Sequence, residues 1–280
     1  MRSIPPLNIQ DGKLFTDISN AKREPRCTIL NGLKAAVVAN YKAYVASVPD
    51  VQNCAVTTVT DDQKNALIHA FEVETAPMLK LRGRLLDRKA ASFCPFCNIG
   101  QSTTLDHYLP KDTYPTLSVY SRNLVPCCGT CNSLKTTLVL DKAVNVRAFY
   151  HPYFDVIPTD LFLQVQHAVH VNTITLKFKV FKPAGMSTNA FNQLNSHFTK
   201  LGLAKKFRLR ALDHLEEQLP AFRREHHAGG HTAVAASLLT DACDLEISRG
   251  RNHWRVVLYK ALAADQAFCN EGFNVIEQTA

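Results

Sequence analysis

Four cysteines with two identical short spacings are the most specific chemical feature of this 280-residue sequence. Cys94 and Cys97 form one pair, Cys128 and Cys131 form the second, and thirty residues lie between the pairs. A Cys-x2-Cys turn places two thiolates at two corners of a tetrahedron, and two such turns complete a closed Zn²⁺ site. Such a site has no open coordination position, so we expect the zinc to stabilise the fold without taking part in chemistry.

Cys127 offers an alternative ligand, because a Cys127-x3-Cys131 spacing is also compatible with zinc binding. The two-residue spacer between Cys128 and Cys131 matches the first pair and favours Cys128, which leaves Cys127 as a packed neighbouring thiol. The chain has nine cysteines, an odd number, and five of them lie within residues 94–131. This clustering argues against an extracellular disulfide framework and favours reduced thiols in a cytoplasmic protein.

The segment between the two cysteine pairs supplies residue types suited to phosphodiester hydrolysis. Asp106 and His107 are adjacent, Asn123 precedes the second cysteine pair, and Asn132 follows it directly. Hydrolysis needs a base that deprotonates water and a cation that neutralises the charge developing on the phosphate. A histidine with a pKa near its reference value of about 6.5 is largely neutral in the cytoplasm and can act as that base.

Residues 92–137 resemble the core of the HNH endonucleases, the ββα-metal finger, in its zinc-knuckle form, because all these elements follow one another in that family's order. The resemblance implies that His107 is the general base and that Asp106 and Asn132 hold the catalytic metal. It also implies that Asn123 positions the loop carrying the histidine. Two oxygen ligands and waters suit a hard ion, so Mg²⁺ or Mn²⁺ is expected there and Zn²⁺ only at the cysteines.

Lys135 lies three residues after Asn132 and therefore on the same face of the expected helix, where it could contact phosphate. The sequence departs from some members of the family at the next position, where Thr136 replaces a second histidine. Successive side chains of a regular strand point to opposite faces. Asp106 and His107 can therefore serve one site only if the strand ends or bulges there, as the nearby Pro110 allows.

The composition excludes several classes of protein and indicates a polyanionic partner. With 46% hydrophobic and 20% charged residues, the chain is typical of globular proteins and unlike disordered ones. No apolar run is long enough for a transmembrane helix, so no membrane partner is expected. The net charge of +8 favours nucleic acid as a partner. The resemblance to the HNH endonucleases implies DNA as the substrate. Basic runs at residues 80–89 and 200–210 are interpreted either as solvated helix faces or as phosphate contacts.

The elements that must position these residues are mainly helical. The apolar spacing predicts an N-terminal helical layer at 1–90. The resemblance to the HNH endonucleases implies a central zinc-bound ββα finger at 91–140, so the expected fold class is α+β. A connector and a β-hairpin follow at 141–182, with strands near 161–170 and 173–181. A C-terminal segment of three helices is expected at 183–280, with breaks near 226–231 and 249–252.

The segments beside the finger are similar to HNH proteins of bacterial antiphage systems, notably the nuclease subunit of Septu-type defence. The similar stretches are Phe149-Tyr150-His151-Pro152 and the helical segment from Asn195 to Leu219. This resemblance implies an ATPase subunit as partner. The alternative hypothesis is a non-catalytic zinc-ribbon adaptor that binds nucleic acid or a partner protein.

Three histidines of the C-terminal segment flank two glycines and offer an alternative metal site: His226, His227 and His231. Histidines in a loop between helices are more often exposed to solvent, and this interpretation is favoured. The finger therefore remains the expected centre of the chemistry.

Overall fold

Helices build the chain before the cysteine-rich segment: α1 (Asp11–Asn20), α2 (Arg26–Ala46), α3 (Asp61–Glu72) and α4 (Ala76–Leu86). Helix α1 precedes the helical pattern that is evident from residue 26 onward. Helix α3 begins with a capping box in which Thr60 and Gln63 satisfy each other's backbone N–H groups. The computed structural model describes residues 1–278. These residues form two compact units, Met1–Ile157 and the residues from Pro158 onward.

Helix α2 buries one apolar stripe, as expected for a helix of the predicted N-terminal layer. Leu30, Leu33, Val37 and Tyr41 are each at most 8% exposed. Their spacing of three or four residues places them on one side of the helix, which packs against α1 and α3. These helices belong to the same compact unit as the cysteine-rich segment, so they supply part of its surroundings.

The segment with the cysteines folds as two strands and a helix. Strand β1 (Thr104–His107) pairs antiparallel with β2 (Leu124–Cys127), and α5 (Gly129–Lys135) follows directly. Two shorter strands, β3 (Leu140–Asp141) and β4 (Val146–Arg147), then form a separate hairpin. We call residues 91–140 the finger.

The hairpin expected in the second unit is confirmed as β5 (Leu163–Val169) and β6 (Ile174–Val180). Ile174, Leu176 and Phe178 of β6 are buried, whereas Thr175 and Lys177 between them are exposed. This alternation is the period of two that a half-buried strand requires. One face of the hairpin is therefore polar and basic, as the sequence predicted.

The C-terminal helices differ from the three that were expected. They are α6 (Thr188–Lys200), α7 (Leu203–Arg249), α8 (Trp254–Ala263) and the short α9 (Gln266–Cys269). The additional break lies at Gly202, which adopts a left-handed conformation with φ +60° that favours glycine. The break expected near 226–231 is a kink at Gly229 and Gly230 within α7.

The fold is therefore α+β, mainly helical with small antiparallel hairpins. Among the residues that the structure describes, no helix combines the length and the apolar character needed to cross a membrane.

A buried polar cluster links α2 to the segment after the finger. His151 is fully buried, and its Nε2 lies 2.9 Å from the hydroxyl of Tyr44. Its Nδ1 accepts a hydrogen bond of 3.1 Å from the backbone N–H of Tyr153, so Nδ1 carries no proton. Arg147 and Asp155 form a buried bidentate ion pair beside it, with distances of 2.8 and 2.7 Å. Burial holds the pKa of His151 well below its usual value of 6.5.

This lowered pKa makes the first unit sensitive to acid. Above pH 6.5 His151 is neutral in both the folded and the unfolded chain and contributes no pH dependence. Below pH 6.5 only the unfolded chain takes up a proton, so the free energy of unfolding should fall by about 1.4 kcal/mol per pH unit for this histidine. Urea unfolding at several pH values measures the effect. His151→Gln should flatten the pH dependence, whereas His170→Gln, at an exposed position, should preserve it. Equal slopes in His151→Gln and the wild type would contradict the assignment.

Candidate functional site

Four sulphur atoms of the finger converge on one point. The Sγ atoms of Cys94, Cys97, Cys128 and Cys131 all lie within 4.8 Å of one another, and those of Cys97 and Cys128 are 3.9 Å apart. A tetrahedral site with Zn–S bonds of about 2.3 Å separates its sulphurs by about 3.8 Å. Within the described part of the chain, this is the only group of three or more His, Cys, Asp or Glu side chains close enough to share a metal. The donor set and its dimensions fit Zn²⁺.

The first cysteine turn is shaped by backbone contacts that only certain residues permit. Asn98 adopts a left-handed conformation with φ +55°, and its N–H donates to the carbonyl of Cys94 at 2.7 Å. Cys94 in turn donates its N–H to the carbonyl of Gly100 at 2.7 Å. A Cβ atom at Gly100 would lie 2.9 Å from the Cβ of Cys128, closer than side chains approach. Glycine at this position therefore lets the two cysteine turns meet.

The second cysteine turn lies at the start of α5. Cys128 is the N-cap residue, and its Sγ accepts a hydrogen bond of 3.4 Å from the N–H of Cys131. Cys127 is the last residue of β2 and turns away, with its Sγ 3.4 Å from Oγ1 of Thr104. The structure thus places Cys128 in the cluster and leaves Cys127 as a buried neighbour, as the spacing favoured.

His107 ends strand β1 and is held from two sides. Its Nε2 lies 2.8 Å from the carbonyl oxygen of Ser118, which can only accept, so Nε2 carries the proton and Nδ1 keeps a lone pair. The ring of Phe71 in α3 packs edge-on against the imidazole, with centroids 4.3 Å apart. Burial lowers the pKa of His107 to about 4, so the ring is neutral at physiological pH. The imidazole is neutral and oriented, but this pKa lies below the reference value of about 6.5 expected from the sequence, which makes the ring a weaker proton acceptor.

Asn123 connects the loop after β1 to the strand pair. Its Oδ1 accepts from the N–H of Leu109 at 2.8 Å, and its Nδ2 donates to the carbonyl of Leu109 at 3.0 Å. A longer bond of 3.4 Å reaches the carbonyl of Leu117. The loop that holds His107 through Ser118 is therefore fixed by one fully buried amide.

Removing this amide should destabilise the finger measurably. Asn123→Ala leaves buried backbone groups of Leu109 without partners, and we expect a loss of about 1–3 kcal/mol in the free energy of unfolding. Asn132→Ala is the matched control, because Asn132 is half-buried and donates one long bond of 3.3 Å. Urea unfolding compares the two variants. A loss for Asn132→Ala as large as that for Asn123→Ala would contradict this role of Asn123.

Asp106 and Asn132 lie on the same side of β1. Asn132 donates from Nδ2 to Oγ1 of Thr104 at 3.3 Å, and Asp106 is two residues along the strand on the same face. The carboxylate is buried, and its Oδ2 lies 3.1 Å from Nζ of Lys135 but accepts no well-directed hydrogen bond from the described residues. Burial raises the pKa of Asp106, while the charge of Lys135 opposes that rise. The carboxylate is an oxygen donor of the kind that a hard cation prefers, although its Oδ2 is already paired with the ammonium group of Lys135.

Lys135 does not occupy the position expected of a phosphate contact. Its side chain is 1% exposed, and its ammonium group donates to the carbonyls of His107 and Tyr108 at 3.0 Å each. An ammonium group this deeply buried reaches no ligand at the surface. The structure corrects the expectation: Lys135 joins α5 to the end of β1 and balances the charge of Asp106.

The pairing of β1 with β2 fixes the directions in which the side chains of Asp106 and His107 point. Both residues keep a regular register, with Asp106 opposite Val125 and His107 opposite Leu124. Strand β1 ends at His107 without a bulge, and in this regular register the two side chains leave opposite faces of the strand, Asp106 towards Lys135 of α5 and His107 towards Phe71 of α3. The contacts of His107 with Phe71 and Ser118 were not anticipated. No local pattern marks either residue, because both contacts depend on the tertiary fold.

The remaining candidates from the sequence fall outside this cluster. His226, His227 and His231 form no metal-binding group in the described residues. In the basic run at 80–89, three side chains bind groups of the protein itself. Arg82 binds the carbonyl of Phe71 and the carboxylate of Glu74. The other two side chains are those of Arg84 and Arg88. These contacts lie within the protein and correspond to neither of the two roles expected for that run.

Parts of the chain are similar to two curated proteins. Protein ea31 of Escherichia phage lambda is 32% identical over 62% of this chain, and the match covers 62% of ea31. The Septu protein PtuB of Bacillus thuringiensis is 38% identical over 22% of this chain, and the match covers 24% of PtuB. The chain therefore spans less than two thirds of either relative. No family model matches the chain, and no solved structure does.

Proposed function

We propose that the protein is a metal-dependent endonuclease of the HNH type that hydrolyses phosphodiester bonds, with DNA as substrate. The observation that carries the proposal is the state of His107. Its Nε2 is committed to the carbonyl of Ser118, so the lone pair on Nδ1 is the part of the ring that can take a proton. The ββα order of β1, β2 and α5 and the four-cysteine cluster support it.

In the proposed reaction Nδ1 of His107 accepts a proton from the attacking water, while Ser118 keeps the ring oriented. Asp106 and Asn132 would hold Mg²⁺ or Mn²⁺, which supplies positive charge for the phosphate and the leaving oxygen. Asn123 fixes the loop around His107, and Lys135 fixes the end of β1. The zinc site would hold the finger together and carry no step of the reaction.

The similarity to the Septu protein PtuB suggests a defence-related role. We propose that the chain is the effector of a bacterial antiphage system and works with an ATPase subunit. Co-expression with a protein encoded beside it, followed by purification of the tagged chain, tests the partnership. A chain that purifies alone and cleaves DNA without restraint would contradict the regulated role and leave the nuclease proposal intact.

A non-catalytic zinc-ribbon adaptor is the second candidate, and one observation favours it. Lys135 lies 3.1 Å from Asp106 and already balances the charge of the proposed metal ligand. An adaptor would need the zinc site but no second metal. The two candidates therefore differ in their dependence on Mg²⁺ or Mn²⁺.

Incubation of the purified chain with supercoiled plasmid distinguishes them. We expect nicked and then linear DNA with Mg²⁺ or Mn²⁺ and intact plasmid when neither ion is added to the zinc-bound protein. Intact plasmid under every metal, with the partner present, would favour the adaptor.

A further inference from the structure

The end of α3 contacts both His107 and the charged side chain of Lys111. Phe71 packs against the imidazole, and the next residue, Glu72, forms an ion pair of 3.0 Å with Nζ of Lys111. Lys111 follows His107 by four residues, after a turn in which the N–H of Tyr114 donates to the carbonyl of Pro110 at 2.8 Å. Adjacent residues at the end of one helix thus contact His107 and Lys111, so both side chains lie at the same end of α3.

Lys111 is available to a ligand in a way that its neighbours are not. Its side chain is 24% exposed, whereas that of Lys135 is 1% exposed. Arg82, which stacks on Phe71, is already bonded to Glu74 and to the carbonyl of Phe71.

The partner of Lys111 can be exchanged at little cost. Glu72 is 54% exposed, and an ion pair at such a position contributes about 0–1 kcal/mol. A phosphate oxygen offers a charge-assisted hydrogen bond in return. Once a phosphate replaces it, Glu72 is left unpaired and its charge repels the polyanion, so Glu72 weakens binding.

We propose that Lys111 is the phosphate-binding cation of this site, and that a backbone phosphate of the nucleic acid replaces Glu72 as its partner. The inference rests on the proposed nuclease function and gives Lys111 the contact that Lys135 cannot make. In the free protein Glu72 holds Lys111 in place. Glu72 weakens binding because it competes with the phosphate for Lys111.

Binding to a fluorescein-labelled duplex DNA, measured by anisotropy on full-length chains that also carry His107→Ala, tests the exchange. Lys111→Met should raise Kd about tenfold, the size of one lost charge-assisted contact. It should also reduce the slope of log K against log salt by about 1. Lys34→Met removes the same charge from an exposed position of α2 and should change Kd much less.

Glu72→Gln separates ligand exchange from a structural ion pair. Freed from its partner, Lys111 should bind DNA more tightly, by about two- to fivefold. In the Lys111→Met background, Glu72→Gln should have a much smaller effect. If Glu72→Gln weakens binding as Lys111→Met does, the pair is structural and the proposal fails.

Cleavage of plasmid by the chain with His107 intact keeps the two proposals apart. Active protein whose Lys111→Met variant binds and cleaves like Lys34→Met overturns the assignment of Lys111 and leaves the nuclease intact. Protein that never cleaves, but loses binding specifically with Lys111→Met, overturns the nuclease and supports the phosphate contact.

Discussion

Cys94→Ser is expected to lose the zinc and to unfold the finger. Structural zinc contributes about 10–16 kcal/mol in small zinc-binding peptides near pH 7. That contribution is as large as the entire stability of a typical domain, about 5–15 kcal/mol. Because the four sulphurs lie within 4.8 Å of one another, a hydroxyl in place of one thiolate leaves three ligands and a buried, incomplete site. Metal analysis and thermal unfolding of the purified variant measure both effects.

Two cysteines outside the cluster serve as controls. Cys127→Ser changes the residue next to Cys128 but leaves all four ligands, so the variant should retain about one zinc per chain. Cys243→Ser, at an exposed position, should also retain the metal and the wild-type stability. A folded Cys94→Ser protein with full zinc, or zinc loss in Cys127→Ser without unfolding, would show that the ligand set is wrong.

His107→Ala is expected to bind DNA and to cleave it at least about a hundredfold more slowly, the usual contribution of a general base. The substitution removes the imidazole whose Nε2 is oriented by the carbonyl of Ser118 at the end of β1. The cleavage rate on supercoiled plasmid with saturating Mg²⁺ or Mn²⁺ measures the loss, and anisotropy with labelled DNA measures binding.

Loss of folding must be separated from loss of chemistry, because the imidazole packs against Phe71. The zinc content and the unfolding midpoint of His107→Ala should therefore be determined beside its rate. His170→Ala, an exposed histidine of the second unit, should cleave like the wild type. Near-normal cleavage by a folded, zinc-bound His107→Ala protein would contradict the mechanism in which His107 is the general base.

Local spacing was sufficient to predict most of the helices, the β5–β6 hairpin and the members of the four-cysteine cluster. The two Cys-x2-Cys pairs identify their own members, since a tight turn is defined by neighbouring residues. The apolar stripe of α2 and the alternation in β6 are also local, with periods of 3.6 and 2 that each chain segment carries by itself. The choice of Cys128 over Cys127 was favoured by spacing and agrees with the direction in which each side chain points.

Contacts between distant segments required the tertiary structure. Lys135 lies three residues after Asn132, a spacing that predicts a phosphate contact on the same face of α5. Because α5 packs on β1, the ammonium group of Lys135 instead donates to the carbonyls of His107 and Tyr108. The pairing of Lys111 with Glu72, across 39 residues of sequence, has no signature in either segment. The sequence determined which residue types were present and which local elements they form. Burial, and with it the role of each charge, was decided by packing, because it depends on which surfaces come together when the chain folds.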